Sequence, residues 1–154
     1  MKEALILGCS DRKKGFSGPA CLVYDGPLWK IVRNSLPRVD LFCLSALHGL
    51  IPADRRIEPY DLRLVQSTLT IPQLGNQWIE LGLNSYVNIY TCMGQDYAAL
   101  LGKAAAHYSR SERIFRIGEP GDGIGQLGQK LRAWCRRKQG DVPNWIALCL
   151  NDGN

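Results

Sequence analysis

No stretch of this chain comes near the roughly 20 consecutive apolar residues that a membrane-spanning helix needs. Its composition, 45% hydrophobic and 21% charged, is that of an ordinary globular protein. The apolar run near its start, Ala4-Leu5-Ile6-Leu7-Gly8, is too short for a secretory h-region and is not followed by a small-residue cleavage site. A cytoplasmic location with no membrane partner is therefore expected. Cysteines at CxxC spacing are also absent, which argues against zinc-ribbon and thioredoxin-type sites. Of the six cysteines, Cys9, Cys43, Cys92 and Cys149 fall in or at the end of apolar, strand-like segments. Cys21 reads as a loop residue, and Cys135 lies on the apolar side of a basic helix. Reduced thiols acting as small buried hydrophobes are expected, with Cys9 the candidate exception. A thiolate metal site from Cys9, Cys43 and Cys92 is disfavoured, because Cys43 sits inside its strand and side chains alternate across a sheet. No metal and no cofactor is expected. Histidine is scarce, with only two residues. The glycine-rich stretch Gly118 to Gly125 has neither Walker nor Rossmann spacing. No internal repeat, linker or low-complexity segment interrupts the chain, and 154 residues suffice for one self-supporting domain.

The net charge of +5 is unevenly spread. From Lys103 to Lys138 nine basic residues, Arg110 among them, face three acids, Glu112, Glu119 and Asp122. All of the excess positive charge belongs to this C-terminal third. Such asymmetry suits a phosphorylated or polyanionic partner, or serves only as a solvated face.

Strand and helix patterns alternate. Ala4 to Cys9 reads as a buried strand followed by the polar loop Ser10 to Gly15. Pro27 to Ser35 reads as a helix, with proline in its first turn and Leu28, Ile31 and Val32 on one face. Val39 to Ala46 is a second strand, Pro72 to Leu83 a helix and Tyr86 to Cys92 a third strand. A helix from Tyr97 to about Tyr108 follows, with Asp96 as its N-cap. Glu112 to Ile117 reads as a fourth strand, Ile124 to Lys138 as an amphipathic basic helix, and Trp145 to Leu150 as a last strand. This order predicts a single α/β domain over residues 1–154, three-layered and Rossmann-like, with a mostly parallel sheet.

The most informative segment is FCLSALHGLIPADRRIEPYDLRL, from Phe42 to Leu64. An apolar strand breaks at His48-Gly49, turns through Pro52 and enters a charged loop ending in Glu58-Pro59-Tyr60-Asp61. Such strand-to-loop breaks deliver polar groups to the carboxyl edge of a sheet, where α/β proteins bind ligands. If the first three strands are parallel, their ends meet on one rim. That rim would carry Cys9-Ser10, Ser45 to Gly49, and Thr91 to Gly94. Cys9, before a loop holding Lys13 and Lys14, is either a thiol of lowered pKa acting as nucleophile or a packing residue. His48 either transfers protons or fixes a turn, whereas His107, late in a helix, reads as structural. Glu58 and Asp61 flank a rigid Pro-Tyr pair and serve either as acid/base carboxylates or as partners of Arg55 or Arg56.

These residues carry a resemblance. LSALHGLIPADRRIEPYDLRL is similar to the signature segment of YaaA-type proteins. The match is closer to a shorter branch in which an N-terminal strand ends in Cys before a Lys-containing loop, followed by Leu-Tyr-x-Gly-x-Leu-aromatic. The corresponding elements here are Gly8-Cys9-Ser10 with Lys13 and Lys14, and Val23-Tyr24-Asp25-Gly26-Pro27-Leu28-Trp29. Gly123 to Gln126 resembles the closing motif of that branch. The resemblance implies a nucleic-acid or nucleobase context, but the extra DNA-binding elements of the longer proteins have no counterpart in this shorter chain.

Two functions from different classes follow. The first is an enzyme acting on a nucleobase, nucleotide or modified nucleoside, by cleavage of an N-glycosidic bond or modification of the base. In it Glu58 or Asp61 serves as the carboxylate, His48 moves protons and Tyr60 stacks on the base. The second is a non-catalytic protein that binds DNA or RNA through Lys130, Arg132, Arg136, Arg137 and Lys138. For the enzyme, the main concave pocket is expected on the carboxyl rim, lined by Ser10, His48, Glu58 and Tyr60 and closed by Gly94 and Tyr97. A phosphate-sized anion site is expected at the helix N-terminus after Gly123. Lys13, Ser45 and Gly49 complete the expected binding set.

Overall fold

Strand β1 (Glu3–Gly8) is buried on both faces, with Ala4, Leu5, Ile6 and Leu7 all at zero exposure. A strand with no polar face belongs at the centre of a sheet covered on both sides. The computed structural model describes residues 2–108 and 113–151, and in it β1 is that centre. After β1 come β2 (Gly18–Pro19), the single helical turn α1 (Ala20–Val23) and α2 (Pro27–Ser35). Strand β3 (Asp40–Ser45), β4 (Gly49–Pro52) and β5 (Arg56–Ile57) lead to α3 (Ile71–Glu80). Then follow β6 (Asn88–Cys92), α4 (Gln95–Tyr108), β7 (Ile114–Arg116), α5 (Ile124–Cys135) and α6 (Asn144–Asn151). The expected strand start at Glu112, and Arg110 of the basic third, lie outside the described residues.

The main sheet has the order β4-β3-β1-β6-β7. Leu5 pairs with Leu41 on one side and with Tyr90 on the other, both in parallel, and β7 joins β6 in parallel. Only β4 runs antiparallel, with Ser45 opposite Gly49 and Phe42 opposite Pro52. The mixed α/β class with a mostly parallel sheet therefore holds. Alternate residues of the strands feed two separate apolar clusters. Leu5, Leu7, Leu41 and Cys43 join Trp29, Leu131, Trp134 and Trp145, from α2, α5 and α6. Ala4, Ile6, Phe42 and Leu44 join Leu74, Trp78 and Leu101, from α3 and α4.

Four local readings change. Trp145 to Leu150 forms a helix, not a strand: Trp145, Ile146 and Cys149 make one buried face, and the Trp145 indole N–H donates to the Val39 carbonyl at 2.8 Å. Cys21 is buried in α1 and not in a loop. Asp96 lies inside the first turn of α4, not at its N-cap. Helix α3 starts at Ile71 because Thr70 and Gln73 form a reciprocal cap around it, a device that fixes helix entry.

Candidate functional site at the carboxyl edge

Strands β1, β3 and β6 end at Gly8, Ser45 and Cys92, and parallel pairing sets those ends side by side. The Cys9 N–H donates to the Leu44 carbonyl at 2.9 Å, carrying the ladder one residue past β1. The Trp29 indole N–H holds the Gly8 carbonyl at 2.9 Å and pins that end.

Tyr60 arrives there by a longer route than the sequence suggests. Strand β4 carries the chain away from the rim. Ala53 donates to the Leu41 carbonyl near the amino end of β3, and β5 pairs with β2 on the way back. The segment after Pro52 thus runs to the amino edge and back, and Tyr60 still reaches the rim. Its hydroxyl lies 2.6 Å from Ser45 Oγ and 2.7 Å from the Tyr24 hydroxyl.

Counting constrains the serine of this trio. Ser45 Oγ accepts from the Leu47 and His48 backbone N–H groups at 3.2 and 3.0 Å. Those bonds fill both acceptor positions of a serine hydroxyl, so Ser45 donates to Tyr60. Tyr24 is fully buried, and a buried hydroxyl proton without an acceptor is costly. Tyr24 has the Tyr60 hydroxyl, the Ser45 hydroxyl and the Cys43 thiol as hydrogen-bond partners. Burial holds both phenols far above their ordinary range, and in Tyr60 the bonds with Ser45 and Tyr24 oppose that rise.

Around the trio sit two nitrogen bases. Lys13 Nζ lies 4.4 Å from the Tyr60 ring centroid and 5.9 Å from that of Tyr24, within cation–π range. The His48 ring meets the Tyr60 ring edge-on at 5.6 Å, and its Nε2 is buried without a hydrogen-bond partner among the described residues. Burial first and the Arg55 guanidinium second lower the His48 pKa, which favours the neutral imidazole. On the other side of β1, Cys9 Sγ and the Tyr97 hydroxyl are 3.0 Å apart. Burial and the Cys9 contact raise the Tyr97 pKa.

Other expected site residues have different roles. The Ser10 hydroxyl is committed to the chain: it donates to the Arg12 carbonyl at 2.6 Å and accepts from Gly26 N–H at 3.2 Å. Gly49 adopts φ +72° with the Gln77 amide packed where a side chain would stand. Gln77 spans the turn, accepting from Leu50 N–H and donating to the His48 carbonyl. Gly49 is thus required by the turn. Glu58 and Asp61 are exposed, and neither has a hydrogen bond or ion pair among the described residues, so the expected pairing with Arg55 or Arg56 is not formed. Gly94 leaves open space before α4. Gly123 donates to Gln126 Oε1 at 2.9 Å, and nearby Asp122 accepts from Lys130 and from Glu119 N–H. The start of α5 is therefore supplied from within the chain and flanked by an acid.

A cleft of about 630 Å³ opens at the opposite, amino edge, between Asp40, Tyr86, Asp54 and the segment Gln139 to Trp145. There the Tyr86 hydroxyl donates to Asp40 at 2.6 Å. Two rim residues escaped the sequence reading. Tyr24 sits in the Val23-to-Trp29 motif, and an internal Tyr beside Asp-Gly-Pro was its only signal. Arg116 ends β7 and appeared only as one of nine basic residues. Of the basic helix, Lys130 pairs with Asp122 and Lys138 with Glu3 at 2.9 Å, while Arg132, Arg136 and Arg137 stay exposed. Among the described residues no group of acids, histidines and cysteines is arranged to hold a metal ion, and no helix is long and apolar enough to cross a membrane.

No curated protein and no solved structure matches the chain. The profile of a family of unknown function (DUF6884) matches residues 4–133, from β1 into α5. The chain belongs to that family.

Proposed function

We propose that this protein is an enzyme that acts on a nucleobase, nucleotide or modified nucleoside at the carboxyl edge of its sheet. The observation that carries the reading is the Tyr60 trio of bonded hydroxyls beside an imidazole whose Nε2 has no partner among the described residues. A proton donor and a proton acceptor side by side, flanked by Lys13 and a half-buried thiol, suit proton transfer to and from a heteroaromatic ring. Glu58 and Asp61, exposed on either side of Tyr60, remain for charge that develops on a sugar or base. The reading treats the domain as Rossmann-like and three-layered, with a ligand crossing the point between β1 and β6 where the strand order reverses. The likeness of the central segment to YaaA-type proteins supports the same substrate class, and six cysteines outside any disulfide suit a cytoplasmic setting. Three exposed arginines on α5 and just after it are what support the rival, a nucleic-acid-binding protein, and they bring no acid or base with them.

The test is a panel of free bases, nucleosides and nucleotides, scored by ligand-induced thermal shift and then by turnover on whatever binds. A ligand present at 100 times its Kd stabilises by about 2.7 kcal/mol, a shift that is easily read. The expected result is at least one binder whose effect is lost in Tyr60→Phe and in His48→Gln. No binder in any class, or binding indifferent to both substitutions, contradicts the reading.

A further inference from the structure

Three buried side-chain nitrogens lack a partner among the described residues: His48 Nε2, Arg116 Nε and Trp134 Nε1. Two of them stand at the carboxyl edge, His48 after β3 and Arg116 at the end of β7. Arg116 pairs in register with Thr91, so its side chain rises one residue before β6 ends. Its two terminal nitrogens both donate to a single oxygen, Gln95 Oε1, each at 3.2 Å. That is the long end of the N–H···O range, and the acceptor is a neutral amide. No carboxylate pairs with Arg116 among the described residues. Asp122 is close enough to feel its charge, but the Asp122 carboxylate already serves Lys130 and Glu119 N–H.

Gln95 is the first residue of α4. The guanidinium therefore lies beside the first turn of a 14-residue helix, next to Gly94, where a side chain would meet nothing within 4 Å. A guanidinium whose buried Nε–H has no partner among the described residues, and whose terminal nitrogens share one amide oxygen weakly, is arranged to exchange that amide for an anion. Bidentate guanidinium–phosphate bonds are roughly twice as strong as neutral ones, and helix N–H groups add to them.

We propose that Arg116 and the first turn of α4 bind a phosphate group, and that the ligand of the rim is accordingly a nucleotide and not a free base or nucleoside. This rests on the reading of the rim as a nucleobase site and fixes which end of the ligand lies where. The base meets Tyr60, His48 and Lys13, and the phosphate lies across β1 and β6 toward β7. It also moves the anion site from the start of α5, where Gln126 and Asp122 occupy the approach, to the start of α4.

The anion site is tested alone with inorganic phosphate, following the Arg116 Nε–H signal by NMR. The ligand is tested by comparing a nucleoside with its 5′-monophosphate. We expect phosphate to move the Arg116 signal and the monophosphate to bind about 10- to 100-fold more tightly, the usual worth of bonds to a charged group. Arg116→Gln should erase that ratio while leaving nucleoside affinity unchanged, Arg116→Lys should keep part of it, and Arg132→Gln, on the exposed side of α5, should keep all of it. Equal binding of nucleoside and monophosphate, or a ratio that survives Arg116→Gln, overturns the phosphate assignment while the rim reading stands. If neither nucleoside nor monophosphate binds yet phosphate still moves Arg116, the rim reading fails and the anion site stands. No movement of Arg116 with phosphate overturns the anion site.

Discussion

Tyr60 is the residue on which the rim turns, because two other hydroxyls bond to its own. Tyr60→Phe removes no carbon packing but takes away the hydroxyl that both Ser45 and the buried Tyr24 bond to. Orphaned buried polar groups cost about 1–3 kcal/mol, so chemical denaturation should show a loss of that size. A change within error would mean that the trio is not bonded as described. His48 gives a second test, in pH. Its folded pKa is lowered by burial and by Arg55, so the unfolded chain takes up the proton first as pH falls through about 6.5. The contribution is complete above that value and is lost as pH drops toward the folded pKa. Urea midpoints of the wild type should therefore fall more steeply than those of His48→Gln between about pH 6.5 and 5. Parallel curves would contradict a desolvated imidazole. His48 stood out in the sequence because it breaks an apolar strand, and Tyr60 because it stands with Pro59 between two acids in a charged loop. Tyr24 did not, because it lies inside an apolar stretch and gains its role only when Tyr60 is brought back to it by a separate segment.

Among the elements, those with clear patterns matched: β1 and β3 as apolar runs, β6 within the strand expected over Tyr86 to Cys92, and α2 with proline in its first turn. Helix α6 failed for a physical reason. Trp145-Ile146-Ala147-Leu148-Cys149-Leu150 is apolar all round, and a short run of that kind has no periodicity to separate strand from helix. Its helical form is decided by tertiary contacts, above all Trp145 packing into the face shared with α2 and α5. Trp145→Ala should cost about 3–5 kcal/mol, the usual loss for a large buried aromatic. A loss under about 1 kcal/mol, the size of an ordinary surface change, would mean that α6 does not anchor this face. Strand β4 was missed as an element because Gly49 and the Gln77 clamp, not a propensity, reverse the chain after His48.

For the whole molecule, charge was the least transferable reading. A tally of nine basic residues against three acids says nothing about partners. In the fold Lys138 is taken by Glu3 and stacks on Tyr90 at 4.5 Å, while Lys130 is taken by Asp122. Arg116, one cation among nine in the tally, is set on the rim. The rim itself was legible because parallel strands that break into polar loops must end together. The amino-edge cleft was not legible, since it is assembled from separated segments such as Lys2-Glu3, Asp40 to Phe42, Tyr86 and Gln139 to Trp145. These two edges are rival places for a ligand, and a crystal structure with the tightest-binding member of the nucleotide panel decides between them. The account predicts the ring against Tyr60 and His48, with any phosphate on Arg116 and the start of α4. Ligand density in the amino-edge cleft, between Asp40, Tyr86 and Trp145, with an empty rim, would contradict it.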